Sequence, residues 1–205
     1  MLFRSQQKEV TIVASQLFQL IRARKVVCNF TGDHTASSPT LWELALACLH
    51  DREVILRVPV RQPPNEEIAS ICNKTKDQID GTCAGLLEIH LKNSRQNRSA
   101  ARLAEHDYPE SIQSLVQSKV TYLHRTVRDW LVYSPSTWDT ILQYTASASY
   151  DPHISHLCSY VLQLKLPLAE LEHHRRLDEW WEDIVLSLTH ARYIYPRNLN
   201  LRSTQ

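Results

Sequence analysis

Glycine is scarce in this chain. There are three in 205 residues, Gly32, Gly81 and Gly85, where average usage of about 7% would give about fourteen. No two of them fit G-x-G-x-x-G or G-x-x-x-x-G-K-S/T, so a dinucleotide fingerprint and a phosphate-cradling loop are both missing. Few positions can take positive φ cheaply, which argues against a turn-rich β-sandwich or barrel. An excess of one charge is also lacking. The 23 basic and 22 acidic residues leave a net charge of +1, which exerts no global pull toward nucleic acid or an anionic membrane. The five cysteines, Cys28, Cys48, Cys72, Cys83 and Cys158, are odd in number, scattered and never C-x-x-C. They read as reduced, partly buried residues of an intracellular protein. No 18-residue apolar run exists to span a membrane, and the opening residues MLFRSQQKEVTIVASQ have no apolar core of a signal peptide. What remains is a mainly helical, cytoplasmic protein of one or two domains, long enough to bury a core.

The pattern along the chain supports this. Ile12, Val13, Leu17, Leu20 and Ile21 have helical spacing in a helix over 8–24, and 28–40 reads as a linker. Pro39 in the first-turn position starts a helix whose face carries Leu41, Leu44, Ala45, Cys48 and Leu49. Residues 54–64, with Pro59, Pro63 and Pro64, read as an extended connector. Asn65 caps the next helix, with a core stripe of Ile68, Ile71, Cys72, Thr75 and Ile79, and Gly81 ends it. The period then changes. Residues 85–92 and 119–124 alternate as two strands of an antiparallel hairpin. The polar stretch between them, 93–118, reads as a long loop. Short helices follow at 125–133, where Val127, Trp130 and Leu131 face one way, and from Pro135. A helix from Pro152 carries Ile154, Leu157, Cys158, Val161, Leu162 and Leu164, and a last helix covers about 169–193. Helices followed by a hairpin form a winged-helix pattern. The predicted organisation is a leading helix and linker (1–37), a winged-helix-like unit (38–133) with a wing loop (93–118), a small helical bundle (134–195) and a frayed tail (196–205).

Candidate chemistry is sparse. His153, His156 and Cys158 have ligand-like spacing, and His173 and His174 add two more histidines. On a helix, however, Cys158 lies round the other side, and no HExxH or paired-cysteine set accompanies them, so structural histidines are favoured over zinc. No G-x-S-x-G elbow exists, and Glu179 with Asp183 is a solvated i,i+4 pair, so no enzyme is expected and no cofactor is called for. Lys92, Arg95, Arg98 and Arg102 lie in the wing loop and offer a nucleic-acid backbone contact. Acids follow them at once, and the would-be recognition helix at 65–82 has as many acids as bases. Nucleic-acid binding is therefore the second reading. The most informative segment is the junction around His124, where a strand ends and a helix begins. Either His124 bonds locally and Asp129 pairs with Arg125, or His124 points outward to a partner or ligand; spacing alone favours the first.

The segment YLHRTVRDWL (122–131) resembles the LHRTVRDFL signature of the uncharacterised region that follows the NACHT ATPase module in fungal NOD-like receptor proteins. Other pieces fit that region in order: SQLFQLIRAR (15–24), SPTLWELALACLHD (38–51), the stretch 56–89 ending in a C-x-G-L-L-E strand, and TWDTILQYTASASYDPHISHLCSYVLQLK (137–165). The last contains YDPHISHLCSYVLQLK, which is similar to the family's FDPHLSLLRSYLLQLK. The similarity covers about residues 12–192. It implies a signal-transduction module associated with non-self recognition, heterokaryon incompatibility and programmed cell death. Such a module packs against a NACHT ATPase domain, in cis or in trans, that binds ADP or ATP. In related receptors a Met-His-Asp triplet at a strand-to-helix junction senses the ADP phosphate. Leu123-His124-Arg125 is similar in position, so the resemblance implies nucleotide sensing or domain docking by His124, Arg125 and Asp129. Arg125 departs from the acid of that triplet, and no phosphate-binding loop is present. The chain is therefore expected to be a fragment or stand-alone remnant without ATPase activity.

Overall fold

The computed structural model describes residues 2–31, 38–49, 52–91, 109–146, 150–168 and 177–202. These form nine helices and one two-stranded sheet, a mainly α fold with a single antiparallel hairpin. Helix α1 (Leu2–Thr31) continues well past the expected end and takes in the start of the expected linker. Its buried positions include Leu17, Leu20, Ile21, Arg24, Val27 and Cys28. Their three- and four-residue spacing makes one continuous inner face, and α1 packs on four other helices.

Helix α2 (Leu41–Ala47) is capped by Thr40, whose hydroxyl accepts from the Glu43 N–H at 3.0 Å. Pro39 therefore precedes the cap and is not the first helical residue. All seven residues of α2 are buried, whereas Leu49, expected on the inner face, is exposed. A helix surrounded on every side needs apolar residues all round, so an amphipathic reading underestimates its burial. Helix α3 (Arg52–Arg57) occupies the start of the expected connector. The Lys165 ammonium donates to the carbonyls of Ile55 and Leu56 at 3.0 and 2.8 Å, which satisfies that helix's open end. Helix α4 (Asn65–Thr82) buries Ile68, Cys72, Thr75 and Ile79 of the expected stripe, while Ile71 is half-buried. Its cap position is Pro64, without a side-chain bond, so Asn65 is already helical. Gly81 lies within α4. The left-handed turn that follows uses Ala84 (φ 49°) and Gly85 (φ 72°), a cheap conformation for the glycine and a strained one for the alanine.

Strands β1 (Leu87–His90) and β2 (Lys119–Tyr122) pair antiparallel with Leu87 opposite Tyr122 and Ile89 opposite Val120. Leu87 and Val120 are buried and Glu88, His90 and Lys119 exposed, so the expected alternation holds within these strands, which are shorter than expected; Leu91, expected on the apolar face, is exposed. The segment leading into α2 extends this ladder. Val120 N–H donates to Pro39 O at 3.0 Å and Leu41 N–H to Ser118 O at 2.7 Å. Within the expected loop, residues 110–117 form helix α5 (Glu110–Gln117), which buries Val116 and packs on α2 and α4. Residues 93–108 of that loop lie outside the described residues.

Helices α6 (Arg125–Tyr133) and α7 (Pro135–Gln143) follow, then α8 (Pro152–Lys165). Asp151 caps α8 by accepting from the His153 N–H at 2.8 Å. In α6, Leu131 is buried but Trp130 is 55% exposed, against expectation. In α8 the expected and observed faces differ most. The buried residues are His153, His156, Ser159, Tyr160 and Leu162, while Leu164 is exposed. Helix α9 (Leu177–Arg202) runs through Pro196, where a frayed tail was expected. The main hydrophobic core joins α1, α2, α4 and the hairpin to Leu162 and Leu166 at the end of α8, so it spans both the winged-helix order and the bundle. No helix among the described residues is long and apolar enough to cross a membrane.

Candidate functional site

The junction between β2 and α6 is built locally. Leu123 N–H donates to Leu86 O at 3.0 Å, which holds the chain in the hairpin one residue beyond the strand. His124 then adopts an extended backbone and caps α6. Its Nδ1 accepts from the Thr126 N–H at 3.2 Å and lies 2.9 Å from the Thr126 hydroxyl. Accepting at Nδ1 puts the ring proton of the neutral imidazole on Nε2. Asp129 accepts from Arg128 Nε and Nη2 at 2.9 and 2.7 Å and sits 3.4 Å from Arg125 Nε. Hydrogen bonding from Arg128 and the positive charge of both arginines hold its carboxyl below the usual range. The local bonding anticipated for His124 and the Arg125–Asp129 pair are both present, yet the imidazole remains exposed.

What spacing along the chain did not reveal is the other wall. A cleft of about 230 Å³ lies here, lined by Lys25 and Ile21 of α1 together with Tyr122, His124, Arg125 and Arg128. Three permanent or near-permanent cations surround it, and Asp129 is the carboxylate paired with two of them. Partial burial and then the charge of Arg128 lower the Lys25 pKa, with Asp129 opposing. Burial pushes the Tyr122 phenol up to about 12, and its buried hydroxyl has no hydrogen-bond partner among the described residues. Chemically this is a place for an anion. A cationic rim, a neutral imidazole N–H and the first turn of a helix all favour negative charge.

A second polar cluster is buried. Arg24 Nε lies 3.0 Å from Glu43 Oε1, which also accepts from the Tyr160 hydroxyl at 2.8 Å. His156 Nδ1 is 3.4 Å from the same oxygen, and His156 Nε2 donates to Leu20 O at 2.9 Å. His153 and His190 face each other through their Nδ1 atoms at 3.0 Å, one donating to the other. His190 also stacks on His156, and His153 on Tyr193, each at 4.7 Å between centroids. Burial alone would raise the Glu43 pKa. The Arg24 guanidinium, then His156 and the Tyr160 hydroxyl, outweigh it and hold the carboxyl at about 2. Burial, reinforced by His156, His153 and Arg24, pushes the His190 imidazole far below its ordinary range. A signal for this cluster exists in the sequence: Glu43 is the one charge in an otherwise apolar α2, and Arg24 falls on the α1 face that also carries Ile21 and Val27.

The remaining candidates separate. His153 and His156 are buried in this cluster, while Cys158 packs half-buried against the main core. No group of three His, Cys, Asp or Glu among the described residues is arranged to hold a metal ion. The five cysteines form no disulfide, and burial raises Cys48 and Cys72 to about 12 and Cys83 to about 11, so these three are thiols at neutral pH. Lys92, Arg95, Arg98, Arg102, His173 and His174 lie outside the described residues, as does the side chain of Glu179; Asp183 is half-buried. Helix α4, the would-be recognition helix, is a core helix, and its Lys76 is paired with Asp80 at 2.7 Å.

The family model described as a domain of unknown function (DUF7791) matches residues 11–172, and the chain belongs to that family. No curated protein and no solved structure matches.

Proposed function

Taking that membership as the premise, we propose that the chain is a non-enzymatic regulatory module of a nucleotide switch. It docks through the β2–α6 junction against a NACHT-type ATPase core, in cis within a longer protein or in trans. One state of that core presents the phosphate end of bound ADP or ATP to the cleft beside His124. The module then acts by differential contact, stabilising the state in which that phosphate is in place. It carries no cofactor of its own, and its setting is cytoplasmic signal transduction of the fungal non-self-recognition kind.

One observation supports this reading most: an exposed imidazole, fixed by its own capping bonds, at the rim of a cleft with Lys25, Arg125 and Arg128. The local bonds use Nδ1, which leaves Nε2 as the outward donor. Arg125 stands where the related triplet has an acid, and this makes the junction more attractive to phosphate. The test is ADP release from the matching ATPase domain with this chain added. Wild type slows release, and His124→Ala loses most of that effect. Equal release rates with the two proteins would remove the sensing role.

A further inference from the structure

The cleft beside His124 holds more unsatisfied donors than a capped junction requires. Ile21 and Lys25, one turn apart on α1, line it together with Tyr122, His124, Arg125 and Arg128. Among the described residues, no acid lines it. Asp129, outside the lining, is already shared by Arg125 and Arg128, at 3.4 and 2.7 Å. Lys25 is different. It is half-buried, it has no ion pair or hydrogen bond among the described residues, and Arg128 repels it. The Tyr122 hydroxyl is buried and also has no partner among them. Arg22, close enough to act on that phenol, adds a further positive charge, and its Nη1 is buried and equally unpartnered. Buried donors in folded proteins are nearly always paired, so unpaired ones beside a cavity point to an occupant. Arg22, Lys25, Arg125 and Arg128 against the one carboxylate of Asp129 make that occupant an anion.

We propose that the cleft binds a terminal phosphoryl group by itself, with Lys25 as the anchoring cation, and that it recognises the phosphate and not the base. Resting on the reading of this cleft as a phosphate contact, this goes further: the ligand is held by this chain's own groups, with no ATPase core in place. Free diphosphate and a nucleoside diphosphate both carry the group. An oxyanion between Lys25 and Arg128 turns their repulsion into two attractions. It accepts from His124 Nε2, the outward donor, and meets the positive end of α6. Tyr122 is half-buried, and no tryptophan or phenylalanine among the described residues lines the cleft. A base therefore finds no broad ring face to stack on, and adenine and guanine serve equally. Free diphosphate then competes with a nucleotide presented by another domain, so it weakens docking at this junction.

Calorimetry of the full chain with inorganic diphosphate, ADP and GDP, at constant ionic strength, tests this. Wild type half-saturates with diphosphate on the order of 1 mM, and ADP and GDP bind within about threefold of one another. Lys25→Gln weakens diphosphate binding about tenfold, as expected for one charge contact at a half-exposed site. Lys25→Arg retains it. Arg125→Gln, at an exposed position that leaves the fold intact, weakens it about threefold. Lys76→Gln, which removes an equal charge from α4, leaves it unchanged. Absence of diphosphate binding at ten times that concentration overturns the proposal, as does an equal loss in Lys25→Gln and Lys76→Gln. ADP binding tenfold tighter than GDP overturns it too, because the base would then be read. Diphosphate binding without either nucleotide assigns the site to the free anion and keeps phosphate as the recognised group. A chain that slows ADP release but binds no diphosphate keeps the docking reading and loses this one. Diphosphate binding without any effect on release does the reverse.

Discussion

The two polar clusters use the same residue types and are opposites in burial. In the inner one, Arg24, Glu43, His156 and Tyr160 are removed from water and converge on a single carboxylate oxygen. In the outer one, Lys25, Arg125 and Arg128 exceed their acidic partner and surround open space. Lys25 follows Arg24 directly in the chain, so one step along α1 separates a structural charge from a candidate ligand-binding one. A desolvated charge must be matched where it lies and is then committed to holding helices in place. A half-exposed charge stays hydrated, costs the fold little and remains open to an incoming anion.

Breaking the inner cluster should have the largest effect. Arg24→Ala leaves the Glu43 carboxylate buried without its guanidinium and should cost about 3–5 kcal/mol. Urea denaturation at pH 7 measures this, and Lys25→Ala, one residue away, should change stability by about 0.5 kcal/mol or less. A similar loss from both variants would erase the distinction between the clusters.

Acid should separate the clusters next. His190 is held neutral in the fold, while the unfolded chain takes up a proton below about pH 6.5. Its contribution is therefore present above that range and lost as pH falls, at about 1.4 kcal/mol per pH unit for each proton. Glu43 is depressed from 4.5 to about 2, so its share is complete above pH 4.5 and lost between there and 2. Urea midpoints at stepped pH should fall in two stages, and His190→Gln should flatten the first. A single transition confined below pH 4 would show that His190 does not contribute.

The smallest stability effects belong to the outer cluster. His124→Ala removes a capping bond and should cost about 1 kcal/mol. Asp129→Asn should be near neutral in thermal melts, because Arg125 is exposed and Arg128 only half-buried, so both stay solvated. The same change should strengthen phosphate-analogue binding by calorimetry, since it frees Arg125 and Arg128. Weaker binding would place Asp129 among the groups that organise the cleft.

Local chemistry made much of this readable. The α4 stripe, the hairpin alternation and the Asp151-Pro152 start of α8 depend on neighbours within a few residues, and they stand as expected apart from half-buried Ile71 and exposed Leu91. The His124 junction was legible for the same reason, since a strand end and a helix cap are short-range features. Helix α5 was not, because Ile112, Leu115 and Val116 are too few to make a period and gain their burial from α2 and α4. The inner face of α8 is only partly legible: Leu162 is buried as expected, but hydropathy ranks histidine, serine and tyrosine as surface residues. Only partners on α1, α2 and α9 make their burial favourable.

The amino-acid sequence by itself therefore determined the helical class, the single hairpin, the missing phosphate loop and the capped junction at His124. All follow from spacing and from the conformational limits of particular residues. Tertiary structure alone decided which charges went inside and that Lys25 joins Arg125 and Arg128 around one cleft. Those outcomes depend on residues about a hundred positions apart meeting in a shared environment, and burial, unlike periodicity, is a property of the neighbours as much as of the residue.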